Sequence, residues 1–158
     1  MEKSIISNMR AFNRYYTNLI GLLDQGYLDT QYTLTEARIL FEISPAGKIQ
    51  ASEIIDALLI DKSYLSRVLK KFENNNLITR SKSGKDSRAT QISLTKEGLT
   101  ALTALNTLAD RQIKELLKDL SLSDIQEVAL HMNSIINILD KNTLNRKIYQ
   151  LSTRKLFQ

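Results

Sequence analysis

The sequence predicts a mainly α-helical protein with one small β hairpin. Three observations carry this. Apolar residues recur at helical spacing over most of the chain. A period of two appears only in one short stretch near residue 90. Five glycines and one proline among 158 residues leave few places to turn, which favours long helices. The length makes one domain the default.

Residues 4–24 read as the first helix. Ile5, Met9, Phe12, Tyr16, Leu19 and Leu23 are spaced 4, 3, 4, 3, 4, a narrow seam of the coiled-coil kind, and Gly26 is its expected stop. Such a seam packs on another subunit or on its own domain, and spacing alone leaves both open. Thr33 and Glu36 have capping-box spacing and open a second helix through Ala37, Leu40, Phe41 and Ile43, which the run Ser44-Pro45-Ala46-Gly47 should break. A third, short helix covers about Ser52–Leu59 with Ile54, Ile55 and Leu58 inward. Asp61 is a good N-cap for a fourth, ending near Asn74. Its Leu65, Val68, Leu69 and Phe72 fall on one face at i, i+3, i+4, i+7, leaving Lys62, Ser63, Tyr64, Ser66, Arg67, Lys70 and Lys71 for the other.

Leu77–Arg80 reads as a strand, Ser81–Arg88 as a polar, basic loop around Gly84, and Thr90–Leu94 as a second strand, with Thr90, Ile92 and Leu94 on one face. The loop is too long for a tight turn and should project. Thr95 can cap a long helix to about Asp119, with Leu102 and Leu105 among its apolar positions. Ser123 with Gln126 suggests a capping box for the last helix, whose Ile125, Val128, Met132, Ile135 and Leu139 form a second heptad-like seam. Residues 141–158 are a polar, basic tail.

Composition excludes several chemistries. Apolar residues make up 42% and charged residues 25%, the balance of an ordinary globular protein. The absence of cysteine removes disulfides, zinc–thiolate and iron–sulfur sites, a thiol nucleophile and a thiol oxidant sensor. A single histidine, His131, removes a multi-histidine metal site, and the glycines never approach the spacing of a phosphate-binding loop. No nucleophile–base pair stands out, so no catalytic residue, cofactor or metal is expected. No apolar run nears the ~18 residues of a membrane span, and the N-terminus lacks the apolar core of a signal peptide, so the expected location is cytoplasmic.

The net charge of +5 is unevenly placed. Residues 61–96 hold nine Lys/Arg against three Asp/Glu, net +6, whereas residues 1–60 are net −2 and residues 97–158 net +1. A local basic patch is the electrostatic footprint of a polyanion partner. Charge alone fits nucleic acid, a membrane surface, another acidic partner, or simply an unevenly charged solvated face.

Geometry narrows the choice. Three short helices followed by a two-stranded hairpin describe a winged helix-turn-helix, and a DNA major groove accepts one helix. A reading helix needs one apolar face held by its own domain and one polar face toward base edges, and residues 61–74 offer both. A basic hairpin loop beside it can reach the adjacent minor groove, where narrow A·T tracts attract arginine. Arg88 is the candidate, with Asp86 orienting it by a charge-assisted hydrogen bond; Lys82 and Lys85 add to the basic wing.

The run Asp61-Lys-Ser-Tyr-Leu-Ser-Arg-Val-Leu-Lys-Lys-Phe-Glu73, then Leu77-Ile-Thr-Arg80, Ser83-Gly-Lys-Asp-Ser-Arg88 and Ile92-Ser-Leu-Thr-Lys-Glu-Gly98 resembles the multiple antibiotic resistance regulator (MarR) family. The likeness follows element order over roughly residues 5–140 and is specific in 61–98. It implies a winged helix-turn-helix of about residues 33–98, dimerisation helices at about 4–24 and 96–140, and a tail at 141–158. It further implies a homodimeric transcriptional regulator, a repressor on a palindromic operator, relieved by a small aromatic or amphipathic ligand. By position, Ser63, Tyr64, Ser66 and Arg67 would approach bases, Lys62, Lys70 and Lys71 phosphates, and Arg88 the minor groove. For Phe12, Tyr15, Tyr16 and Phe41, core or dimer interface competes with a ligand pocket.

Two departures stand out. Oxidant-sensing members use a cysteine near the N-terminus, and this chain has none. Arg10-Ala-Phe-Asn-Arg-Tyr-Tyr16 and Leu34-Thr-Glu-Ala-Arg38 are most like members fused elsewhere to an N-acetyltransferase domain. After Asp140 there is neither length nor a glycine for a coenzyme A loop. The alternatives to a DNA-binding regulator are therefore a winged-helix protein-interaction or dimerisation module, and the stand-alone regulatory half of an acetyltransferase system.

Overall fold

A computed structural model describes residues 2–21, 27–82 and 90–140. The elements run α1 (Lys3–Leu19), a 3-10 turn (Tyr27–Asp29), α2 (Leu34–Ala46), β1 (Ile49–Gln50), α3 (Ala51–Leu58), α4 (Lys62–Asn74), β2 (Ile78–Lys82), β3 (Thr90–Leu94), α5 (Lys96–Leu117) and α6 (Leu122–Asp140). The chain divides into two compact units, one ending at Gln112 and the other beginning at Ile113.

The first unit is a winged helix. Its core draws one to three side chains from each of five elements: Ile39, Leu40 and Ile43 of α2, Ile54 of α3, Leu65 and Phe72 of α4, Ile92 of β3 and Leu105 of α5 are all essentially inaccessible. Phe72 meets Tyr32 edge-to-face at 6.4 Å, an arrangement aromatic quadrupoles favour. The sheet order is β1-β3-β2, all antiparallel, with Ile49 opposite Ile92 and Arg80 opposite Ile92 from the other side. Sequence reading expects only the hairpin; β1 is a third strand, two residues long, that forms because β3 offers its second edge.

Helix boundaries follow local chemistry, with three revisions. First, α1 ends at Leu19 rather than near 24. Gly21 takes φ 64° and donates its N–H to the Asn18 carbonyl, closing the helix before the expected stop at Gly26, which lies outside the described residues. Second, α2 runs through Pro45 to Ala46, and the stop is Gly47, at φ 65°. Third, α6 is capped by Ser121, not Ser123: Ser121 Oγ accepts from the Asp124 N–H at 3.1 Å and donates to its carboxylate at 2.7 Å.

The junction of α4, β2 and α5 is tightly built. Asn76 adopts φ 56°, and the Leu77 N–H bonds the Phe72 carbonyl at 2.8 Å. Thr95 caps α5 by accepting from Gly98 N–H at 3.0 Å, while its hydroxyl donates to the Asn76 carbonyl at 2.5 Å. Gly98 is buried against Leu77: a Cβ there would overlap the Leu77 carbonyl oxygen. The first unit also holds the end of α1, through Gln112 Nε2 donating to the Ile20 carbonyl at 3.2 Å.

Two faces stay uncovered. On α1, Ile5, Met9, Phe12 and Leu19 are exposed along the seam. In the second unit, α6 has no buried residue, and Val128, Met132, Ile135, Ile136 and Leu139 are all more than a third exposed. Both seams belong to helices whose apolar side the single chain leaves in water.

Candidate nucleic-acid interface

Helix α4 is divided by the chemistry of its side chains. Leu65, Val68, Leu69 and Phe72 are buried, and Lys62, Ser63, Ser66, Arg67 and Lys70 are exposed. Burying four such side chains stabilises the helix by several kcal/mol, at roughly 1.5–3 kcal/mol each. That energy fixes which face turns outward. Asp61 sets where the helix begins: its Oδ1 accepts from the N–H groups of Ser63 at 2.8 Å and Tyr64 at 2.9 Å.

Tyr64 is half-buried and packs on the core, and the Arg67 guanidinium carbon lies 5.8 Å from its ring centroid. This cation–π contact, about 0.5–1 kcal/mol at an exposed position, restrains Arg67 on the helix surface without using its hydrogen-bond donors.

Lys71 is exposed like its neighbours, with half of its side chain in solvent, but it makes an ion pair that they do not. Its Nζ lies 2.8 Å from Oε1 of Glu36, whose side chain is only 8% exposed. The other oxygen of Glu36 accepts from the Thr33 N–H at 3.0 Å, within the α2 capping box. Lys71 therefore ties α4 to the start of α2. At the far end, Arg80 Nε of β2 lies 3.4 Å from Oε2 of Glu73. Lys82 is exposed at the end of β2, where the hairpin leaves the sheet. Lys85, Asp86 and Arg88 lie outside the described residues.

The four aromatic residues named for a pocket fall in two places. Phe12 and Tyr16 stack on α1 at 5.6 Å, with Tyr15 exposed beside them, and Phe41 packs half-buried on the core. Two shallow grooves, one along Lys3, Ile6, Arg10 and Arg14 and one along Leu99, Thr103 and Leu108, are lined by other residues. Among the described residues, no three His, Asp or Glu side chains come together as a metal site would need.

The functional residue that sequence reading missed is Glu36. Its capping-box role is visible in the sequence, whereas its partner stands 35 positions away.

Residues 32–90 match the model of the MarR family. The match falls on the winged helix. It takes in α4 and β2 and ends at the first residue of β3. Over 145 residues the chain is 26% identical to the HTH-type transcriptional regulator SarZ of Staphylococcus aureus, covering 90% of this chain and 94% of SarZ. Its fold is similar to that of a mutant Escherichia coli MarR in complex with operator DNA, with TM-score 0.65, 22% identity, and 84% of this chain and 95% of that one covered. It is also similar to Bordetella bronchiseptica BpsR, whose DNA binding is regulated by 6-hydroxynicotinic acid, with TM-score 0.64, 16% identity, and 82% and 98% covered.

Proposed function

We propose that this chain is a sequence-specific DNA-binding transcriptional regulator, a repressor that acts as a homodimer on a palindromic operator and is released by a small aromatic or amphipathic ligand. One observation carries the reading. Inside the segment that matches the MarR family, α4 buries its whole apolar face and presents Ser63, Ser66, Arg67 and Lys70 to solvent. In this reading Ser63, Tyr64, Ser66 and Arg67 meet base edges, and Lys62 and Lys70 meet phosphates. Lys82, Lys85 and Arg88 form the basic wing, with Asp86 orienting Arg88. Lys71 is left out because Glu36 engages it.

The uncovered seams of α1 and α6 supply the contact between subunits, which makes residues 4–24 and 96–140 the dimerisation helices around a winged helix of about 33–98. Small-ligand control follows the precedent of BpsR, and Phe12, Tyr15, Tyr16 and Phe41 are the residues first to vary in testing it. A regulator that reads an operator acts where the DNA is, which places this reading in the cytoplasm. No helix among the described residues is long and apolar enough to cross a membrane.

The deciding experiment is selection of bound duplexes from a random pool. An enriched inverted repeat, with half-sites about one helical turn apart or a multiple of it, is the expected result. Recovery of no sequence preference would remove the specific-operator reading.

A further inference from the structure

Among the described basic residues of α4, Lys71 alone makes an ion pair. The geometry is that of a captive cation. Glu36 is buried, its Oε2 is occupied by the Thr33 N–H and its Oε1 by Lys71 Nζ, so the carboxylate cannot turn to follow a moving partner. For Lys71, whose own side chain is about half exposed, to reach a phosphate, it would have to leave the nearly buried Glu36 carboxylate without its cation, an unfavourable exchange. A phosphate contact in water offers in return only the release of a condensed counterion.

We infer that Glu36 is a positioning residue that withholds Lys71 from the DNA backbone. It keeps sequence-independent binding weaker by one phosphate contact per subunit. The inference rests on the DNA-binding reading of α4. Phosphate contacts carry no sequence information, so a regulator that must leave random DNA gains by neutralising one of its own lysines internally. The pair also explains why a reading helix holds two adjacent exposed lysines with different duties: Lys70 has no carboxylate partner among the described residues, and Lys71 reaches across to Glu36 of α2.

The test is the salt dependence of binding to a labelled duplex of random sequence, read by fluorescence anisotropy. The wild-type slope of log K against log[salt] is the reference. Lys70→Gln should flatten it by about 0.9 per subunit. Lys71→Gln should leave it unchanged. Glu36→Gln keeps an acceptor for the Thr33 N–H but releases Lys71. It should steepen the slope by about 0.9 per subunit and tighten binding about eightfold per subunit near ~0.1 M salt. The double variant should return to the wild-type slope. The inference is overturned if Lys71→Gln flattens the slope as Lys70→Gln does, or if a folded Glu36→Gln protein keeps the wild-type slope. If Glu36→Gln does not fold, the comparison of Lys71→Gln with Lys70→Gln decides alone. A wild-type protein that binds no duplex at any salt would instead sink the DNA-binding reading itself.

Discussion

Replacing Gly98 by alanine adds one methyl group at the most crowded point of the wing's base. An ideal Cβ at Gly98 would overlap the Leu77 carbonyl oxygen, lie 3.0 Å from the Leu77 carbonyl carbon, and sit 3.3 Å from Leu94 Cδ2. The leucine side chain can give by a few tenths of an ångström, but the carbonyl cannot move freely. It accepts the Thr95 N–H at 3.0 Å, and the preceding peptide is held by the Leu77 N–H on the Phe72 carbonyl at 2.8 Å. Relief must come from shifting α5 away from β2. Overpacking of this kind costs about 1–3 kcal/mol, and a pinned backbone neighbour places it at the upper end. Alanine recovers part of glycine's ~1 kcal/mol helix penalty, though less in a first turn than in an interior. The expected net loss is about 2 kcal/mol, or roughly 4–8 °C in Tm for a chain of this length. Urea denaturation followed by circular dichroism measures it. Gly47→Ala is the comparison: Gly47 has φ 65° and ψ −45° but nothing within 4 Å of a Cβ, so its cost of about 1–3 kcal/mol is purely conformational. A Gly98→Ala protein as stable as wild type would refute the close-approach argument.

Thr95→Ala should cost about 1–2 kcal/mol, because it removes the α5 cap and leaves the Asn76 carbonyl without its donor, and Thr95→Ser should recover most of that in the same denaturation assay. Arg67→Ala should weaken binding to the selected operator by about 1–3 kcal/mol while its affinity for random duplex changes far less; equal losses on both would assign Arg67 to a phosphate. Arg88→Ala should cost a similar amount if the wing enters the minor groove, and an unchanged affinity would mean that it does not. Ile135→Glu places a charge in the exposed α6 seam and should shift the protein to monomer in sedimentation at micromolar concentration; an unaltered dimer would move the subunit contact elsewhere.

What could be read from the sequence was what the chain encodes within a few residues. Helix α4 is legible at both ends because Asp61 supplies its own cap and four apolar residues repeat at helical spacing. The hairpin strands are legible because Ile92 alternates with polar neighbours. Features set by distant partners were not. Strand β1 is two residues long and exists only through pairing with Ile92, more than 40 positions later. Ser121 and Ser123 each precede a capping acceptor by three residues, and the Gln126 pattern fits the capping box better than Asp124, yet the helix starts at Leu122. Gly21 and Gly26 are equivalent as stop signals. At the interface, exposure of Ser63, Ser66, Arg67 and Lys70 follows from the apolar spacing of α4, whereas the capture of Lys71 depends on a glutamate in another helix.

That capture bears on the choice between a DNA-binding and a protein-binding winged helix. A solvated surface of ordinary composition intersperses acids with bases. Here the acids near α4 are spent at its edges: Glu36 holds Lys71 toward α2, Glu73 holds Arg80 toward β2, and Asp61 serves the helix N-terminus. Lys62, Arg67 and Lys70 are left on the exposed side with no carboxylate paired to them among the described residues. The outward face is thus more basic than its composition suggests, because carboxylates are drawn away from it by the same contacts that orient the helix. A protein partner would have to supply the missing acids, and a phosphate backbone carries them at regular spacing. The arrangement therefore favours a duplex, with the number of free cations, and not the total, setting how strongly salt competes.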